Sequence, residues 1–233
     1  MKAQLAIIIP TLNEEISLPG TLAPLLAQPG IEVIIVDGGS SDATPALAET
    51  AGCRLLKAPR GRGRQMNVGA AATTAPMLLF LHADTFLPPT FQRRIAETLN
   101  RPGVSVGAFS LAFSGRHPTL AIIARLANLR SRLLGLPYGD QALFTSWRLF
   151  TRVGGYPEME IMEDVVFVRR LSRLGRVVIL PEIAITSARR WQNLGLLRTT
   201  GLNQLILLGY ALGVPTATLA RWYHRLKGVT PRR

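Results

Sequence analysis

Three polar signatures carry side chains suited to chemistry, and each is joined to an apolar run. Asp37-Gly38-Gly39-Ser40 follows Val33-Ile34-Ile35-Val36, His82-Ala83-Asp84 follows Met77-Leu78-Leu79-Phe80-Leu81, and Glu163-Asp164 precedes Val165-Val166. An acid ahead of two glycines can accept hydrogen bonds from a ribose or base while the glycines let backbone approach a ligand. His82 and Asp84, one residue apart, can share one cation or divide between a cation and a phosphate. Paired acids at a helix start either cap it or hold a carboxylate over a cleft as general base. Taken singly, each has a plain alternative: a turn at Asp37, a satisfied core histidine at His82, caps at Asn13-Glu14 and Glu163. Arg189-Arg190 reads equally well as a solvated pair. Their common order along the chain is harder to dismiss.

The elements that must position these groups alternate. Strands are expected at 4–9, 32–36, 53–57 and 77–81, with helices at about 14–27, after Ser41-Asp42 as N-cap, through 70–72, and from about 89. Short apolar runs without polar alternation suit a parallel sheet covered on both faces. Strand–helix repeats imply right-handed crossovers, with ligands beyond the strands' carboxyl ends. After Asn100 the rhythm changes: a strand at 104–113, a helix at 118–134, a strand at 142–147, a helix at 163–174 and a strand at 177–180. The reading is one α/β domain over 1–191, with 192–233 as a helical appendage.

The chain has 233 residues, 27 basic and 14 acidic, for a formal charge of +13. Residues 165–233 hold 12 of the cations and a single acid, Glu182. No recognisable nucleic-acid module and no aromatics interleaved with the basic residues are present, so a nucleic-acid partner is not expected. A single cysteine, Cys53, precludes an intrachain disulfide and suits a reducing compartment. Ala3–Pro10 is too short for a secretory leader, so a cytoplasmic protein is expected. Between Arg198 and Arg221 lie 22 uncharged residues interrupted by Asn203, Gln204, Gly209, Gly213 and Pro215. Gly213 and Pro215 predict a break between two helices. Two readings stand for this stretch: an interfacial helix facing anionic lipid on the inner face of the membrane, or a helix packed on the protein.

The full set resembles the inverting family 2 glycosyltransferases of GT-A fold. The elements that carry the resemblance are Ile8-Ile9-Pro10-Thr11-Leu12-Asn13-Glu14, Val36-Asp37-Gly38-Gly39-Ser40-Ser41-Asp42, Arg62-Gly63-Arg64-Gln65-Met66-Asn67, His82-Ala83-Asp84 and Gly154-Gly155-Tyr156 with Glu163-Asp164. The resemblance implies a nucleotide-sugar donor lying on Pro10, Thr11, Asn13, Glu14, Asp37, Gly38, Ser40, Arg64 and Asn67. It implies a divalent cation, Mn²⁺ or Mg²⁺, at Asp84 with His82 beside it, and Arg190 on the donor phosphates. Asp164 becomes the general base with Glu163 next to it, and Asp140, Gln141 and Trp191 lie toward the acceptor. His82 stands where the family's metal motif has a first Asp, and Ser187 where some members have Gln. His82-Ala83-Asp84, Gly139-Asp140-Gln141 and Ala188-Arg189-Arg190-Trp191 most resemble a bacterial radical-SAM/selenodomain-associated subgroup linked to arsenosugar biosynthesis.

Other function classes fit less well. A dinucleotide-binding enzyme needs a glycine fingerprint after the first strand, where Thr11-Leu12-Asn13-Glu14 stands instead. A nucleotidyltransferase would show a Gly-rich basic signature at the same place. A non-catalytic membrane-binding protein driven by the basic tail is the rival from another class.

Overall fold

A computed structural model describes residues 3–115, 117–189 and 195–227. The first half contains β1 (Leu5–Thr11), α1 (Leu18–Leu26), β2 (Ile31–Asp37), α2 (Thr44–Thr50), β3 (Arg54–Lys57), α3 (Arg62–Ala71), β4 (Met77–Phe80), β5 (Thr85–Phe86) and α4 (Phe91–Leu99). There follow β6 (Val104–Phe113), α5 (Pro118–Leu134), β7 (Phe144–Ser146), α6 (Trp147–Arg152), α7 (Glu163–Ser172), β8 (Arg176–Thr186), α8 (Leu196–Ala211) and α9 (Thr216–Lys227).

The strands form one sheet in the order β3-β2-β1-β4-β7-β6-β8-β5. β3, β2, β1 and β4 run parallel, as expected, and so do β6 and β8. β7 lies antiparallel between β4 and β6, and β5 closes the edge antiparallel to β8. This is an α/β fold with a central, mostly parallel sheet flanked by helices.

Successive residues of a strand face opposite sides of a sheet, and here both sides are buried. Leu5, Ile7, Ile9, Val33 and Ile35 join one core, while Ala6, Ile8, Ile34 and Val36 join the other. That two-sided burial explains why the runs lack polar alternation. α3 lies so close to the sheet that a methyl group at Gly69 would stand 2.4 Å from Ile8 Cγ2.

Some boundaries differ from the sequence expectation. The first helix starts at Leu18 rather than Glu14, because Asn13 takes a left-handed φ of 56° and the next two amides are engaged elsewhere. Glu14 N donates to Thr44 Oγ1 and Glu15 N to Asp42 Oδ2. Ala43, not Ser41 or Asp42, stands at the N-cap of α2; Asp42 accepts from Thr44 N instead. β8 runs on to Thr186, past an irregularity opposite Phe109-Ser110. Neither β5 nor α6 was anticipated; Ser146 caps α6 by accepting from Leu149 N. Cys53 is half-buried at the margin of one core, and burial pushes its thiol up.

The expected break between the last two helices falls at Gly213, with φ 81°. Leu202, Ile206 and Leu219 of α8 and α9 bury together against Ile161 and Met162, just ahead of α7. The expected 191/192 boundary lies outside the described residues. Among the described residues no helix is long and apolar enough to cross a membrane.

Candidate active site

The carboxyl ends of β1, β2 and β4 share one edge of the sheet. At β2, the Asp37 carboxylate is 3% exposed and is gripped from three sides. Its Oδ2 accepts from the Gly39 and Ser40 amides, both at 2.9 Å, and its Oδ1 from the Ser40 hydroxyl and from Thr11 Oγ1. Gly39 has φ 93°, a conformation that costs a side-chain-bearing residue and turns both amides inward. Pro10 sits opposite Val36 in the β1–β2 register. The β1 and β2 loops are tied together: Asn13 N donates to Ser40 Oγ, and Asn13 Oδ1 accepts from Ser41 N. A hollow of about 420 Å³ opens beside them, lined by Asp37, Gly39, Ser40, Pro45, Lys57, Ala58 and Pro59.

Beneath this hollow Gln65, 4% exposed, donates from Nε2 to the Thr11 and Val36 carbonyls, at 2.9 and 2.7 Å. A methyl group at Gly38 would meet the same nitrogen at 3.0 Å. Sequence reasoning missed this brace. The signal was present in the spacing, since Gln65, Met66, Gly69 and Ala70 form the buried face of α3.

Toward β4, the Asp84 carboxylate and Glu14 are bridged by one guanidinium. Arg189 Nη2 lies 2.7 Å from Glu14 Oε2 and 3.5 Å from Asp84 Oδ2. Those two acids hold its proton more firmly than usual, the Glu14 hydrogen bond first. Thr186 Oγ1 also reaches Asp84 Oδ1 at 3.5 Å. In the sequence Arg189 reads as one of a solvated pair or as part of the Ala188-Arg189-Arg190-Trp191 element; the structure ties it to both acids of this edge. Arg190 and Trp191 lie outside the described residues.

The pair of acids at α7 completes the row. Asp164 Oδ2 accepts from Gly139 N at 2.8 Å, and Oδ1 from Val165 N at 2.7 Å. A methyl group at Gly139 would sit 3.1 Å from His82 Nε2 and 3.5 Å from Asp164 Oδ2, so imidazole and carboxylate face the same small volume. Met162, with φ 68°, sets the chain's entry into α7. Glu163 turns inward instead. Burial, reinforced by the neighbouring Asp164 charge and only partly offset by Arg62, pushes its carboxyl up to about 7. Tyr156 is fully buried, stacked on Phe167 with ring centroids 4.0 Å apart, and among the described residues its hydroxyl has no hydrogen-bond partner. Burial first, then the Asp164 and Glu163 charges, keeps that phenol protonated.

Other sequence candidates make contacts within the protein. Asn67 donates to Tyr156 O and accepts from Tyr156 N, both at 2.9 Å, which latches the loop leading to α7. Arg64 pairs with Glu158 at 3.0 Å across an exposed surface. Gln141 is fully buried: its Nε2 donates to Phe109 O, and its Oε1 accepts from Ser131 Oγ and Tyr138 N. It therefore braces the 3₁₀ turn Gly139–Gln141, in which Asp140 lies, rather than facing open space.

Among the described residues no group of three or more His, Cys, Asp or Glu side chains could hold a metal by itself. The His82 ring nitrogen Nε2 stands on the Asp164 side. Asp84 is the carboxylate of the His82-Ala83-Asp84 triplet at this edge; Mg²⁺-like ions commonly take one or two carboxylates and fill their shell with phosphate oxygens and water.

Known proteins resemble this chain in sequence or fold. An uncharacterized glycosyltransferase of Mycobacterium bovis is 37% identical over 79 residues, 34% of this chain and 35% of the relative. The match thus spans about a third of that relative's length. The structure of S. aureus TarS 1-349 in complex with UDP-GlcNAc superposes with a TM-score of 0.63 at 20% identity, covering 80% of this chain and 58% of that one. The mannosyltransferase PcManGT from Pyrobaculum calidifontis, in complex with GDP-Man and Mn²⁺, gives 0.64 at 16% identity over 98% and 74% of the two chains. At such identities the likeness is one of fold. The sequence pattern of glycosyl transferase family 2 matches residues 6–154, from β1 through α6 and including Asp37, Gln65 and Asp84, and the chain belongs to that family.

Proposed function

We propose that the protein moves a sugar from a nucleoside-diphosphate donor, taken as a UDP-sugar, to an acceptor hydroxyl with inversion. The observation that carries this reading is a row of polar side chains along one sheet edge. It runs from Asp37 through the tied β1 and β2 loops to Glu14, Arg189 and Asp84, and on to His82, Gly139 and Asp164. The hollow at Asp37 suits base and ribose, and Arg189 offers positive charge where a diphosphate would follow. The nucleotide sugars bound in the two solved relatives support the donor class.

The chemistry follows from the two acids. Each oxygen of Asp164 accepts one backbone N–H, which fixes its aim and leaves a lone pair for a proton. Asp164 takes the acceptor's proton as that oxygen bonds to the anomeric carbon. The bond from that carbon to the diphosphate oxygen breaks, and the nucleoside diphosphate leaves with the electron pair. One displacement inverts the centre and requires no enzyme nucleophile. Glu163, its carboxyl pushed up to about 7 by burial and by the Asp164 charge, is turned inward at the start of α7 and stands beside the base. Asp84, with the diphosphate, would hold Mn²⁺ or Mg²⁺; when bound, the ion would neutralise charge on the leaving group.

Asp140 and Trp191 are assigned to the acceptor side, with Gln141 holding the turn beneath. Residues 192–233 act as an appendage of the 1–191 domain, in peripheral contact with anionic lipid on the cytoplasmic face of the membrane. The triplet His82-Ala83-Asp84 keeps the radical-SAM/selenodomain-associated subgroup as the pathway reading.

The test is product identity. Purified protein, offered a panel of nucleotide sugars with Mn²⁺ or Mg²⁺, should release nucleoside diphosphate, and Asp84→Ala should lose the metal-dependent part. Pyrophosphate release would make it a nucleotidyltransferase. Metal-independent turnover in chelator would remove the cation, and no thermal shift with any nucleotide sugar would overturn the reading.

A further inference from the structure

α5 presents an apolar face to solvent that the fold does not use. Ile122, Leu126, Leu129 and Leu133 are between 53 and 73% exposed. At about 100° per residue these four lie within roughly 60° of one another, a single stripe along three turns of helix. The opposite face is the one the protein buries: Leu120, Ala124 and Ser131 are inside. Asn128 clamps the helix to β6, accepting from Leu111 N at 2.7 Å and donating to Leu111 O at 2.9 Å. The stripe is therefore fixed outward by the packing of the helix and is not a frayed core. A continuous row of large aliphatic side chains on a surface marks an interaction site.

Charge selects the occupant. The helix carries three arginines and no acid. Arg125 and Arg132 flank the stripe on one side and Arg130 on the other. Arg130 lies with its guanidinium 3.4 Å from the Tyr138 ring centroid, and Arg132 donates to Ser110 Oγ at 3.0 Å. Beyond the helix C-terminus a hollow of about 610 Å³ is lined by Leu134, Leu136, Arg169 and Arg176, with no acid among its lining residues. A second copy of this chain laid on the stripe would bring arginine against arginine with no carboxylate on the helix to pair, which is penalised. A surface with apolar depth under a negative layer answers both features at once.

We propose that α5 is a membrane-docking helix that lies in the interface of a bilayer rich in anionic phospholipid. Its aliphatic stripe enters the acyl boundary, Arg125 beside it meets the phosphate layer, and the basic hollow at its end receives a phosphate-bearing headgroup. Lipid docking through α5 does not depend on the assigned reaction. Because α5 leads directly into the turn that holds Gly139 against Asp164, docking would bring the acceptor side close to the lipid surface.

The experiment is flotation of the full-length protein with phosphatidylcholine vesicles, with and without phosphatidylglycerol. The protein should float with anionic vesicles, and less so as salt rises. The double variant Leu126→Glu, Leu133→Glu should lower partitioning by about tenfold or more, with an unchanged melting curve because both positions are exposed. Arg125→Gln should cost about fivefold and flatten the salt dependence. Leu208→Glu with Leu212→Glu, near the end of α8 and just past it, tests the appendage separately and should lower partitioning less than the α5 double variant does. Equal flotation of the wild type and the α5 double variant would overturn the proposal and leave the appendage as the lipid contact. Absence of flotation would overturn it too. So would a concentration-dependent dimer dissolved by Leu126→Glu, which would make the stripe an interface between copies.

Discussion

Asp37 takes its backbone hydrogen bonds from Gly39 and Ser40, two and three residues further along, whereas Asp164 takes one of its two from Gly139, 25 residues back. The first carboxylate is caged by its own loop, and the loop is pinned from below by Gln65. The second is caged by convergence of three segments: the β4 exit with His82, the 3₁₀ turn with Gly139, and the start of α7. At the first end, contiguous motif residues suffice. At the second, a strained residue, a buried partner acid and a turn braced by Gln141 must all be in place. The contrast teaches that one fold can hold two acids in opposite ways, one caged by its own loop and one by segments far apart in the chain.

The largest test of the contrast is at the assembled end. Asp164→Asn should lower kcat by about 10²–10⁴-fold, the usual worth of a general base, while a nucleotide-sugar thermal shift persists. Undiminished turnover would mean that the assembled acid is not the base and would erase the distinction. At the caged end Asp37→Ala leaves two amides without their acceptor. Donor KM should rise by about tenfold or more, and unfolding stability should fall by about 1–3 kcal/mol, with kcat at saturation largely kept. An equal fall in kcat would show that the two ends are not separable.

The smallest effect, and the one that sharpens the comparison most, concerns Glu163. Its carboxyl is raised in the folded protein from 4.5 to about 7. The native state therefore holds a proton that the unfolded chain has released across that interval. Stability from this group is full below about 4.5 and is lost as pH rises through about 7. Glu163→Gln should flatten the fall in denaturation midpoint across this window and gain relative stability above it. A parallel wild-type and variant profile would show that Glu163 ionises like an exposed acid.

Much of the caged end was legible because its determinants are contiguous. The runs ending in Asn13-Glu14 and in Asp37-Gly38-Gly39 place acid, amides and loop partner within a few residues of each strand end. Two-sided burial made the strands visible as uninterrupted apolar runs. The start of α1 was misjudged because Asn13 looks like a cap, yet its left-handed backbone and its tie to Ser41 make it a loop bridge. Gln141 was placed toward the acceptor, although its side chain is closed in by Phe109, Ser131 and Tyr138. Arg189 was not chosen, since no pattern in the chain says that it will reach Glu14, 175 residues away.

The amino-acid sequence by itself determined the alternating parallel half, the strand ends that carry Asp37 and Asp84, and the break at Gly213. Each depends on periodicity or on backbone preferences that act over a few residues. The tertiary structure alone decided that Arg189 bridges Glu14 and Asp84, that Asp164 faces His82 across Gly139 while Glu163 turns inward, and that one side of α5 stays uncovered. These are distances between segments far apart in the chain, fixed only when the sheet orders its strands and the loops close over its edge.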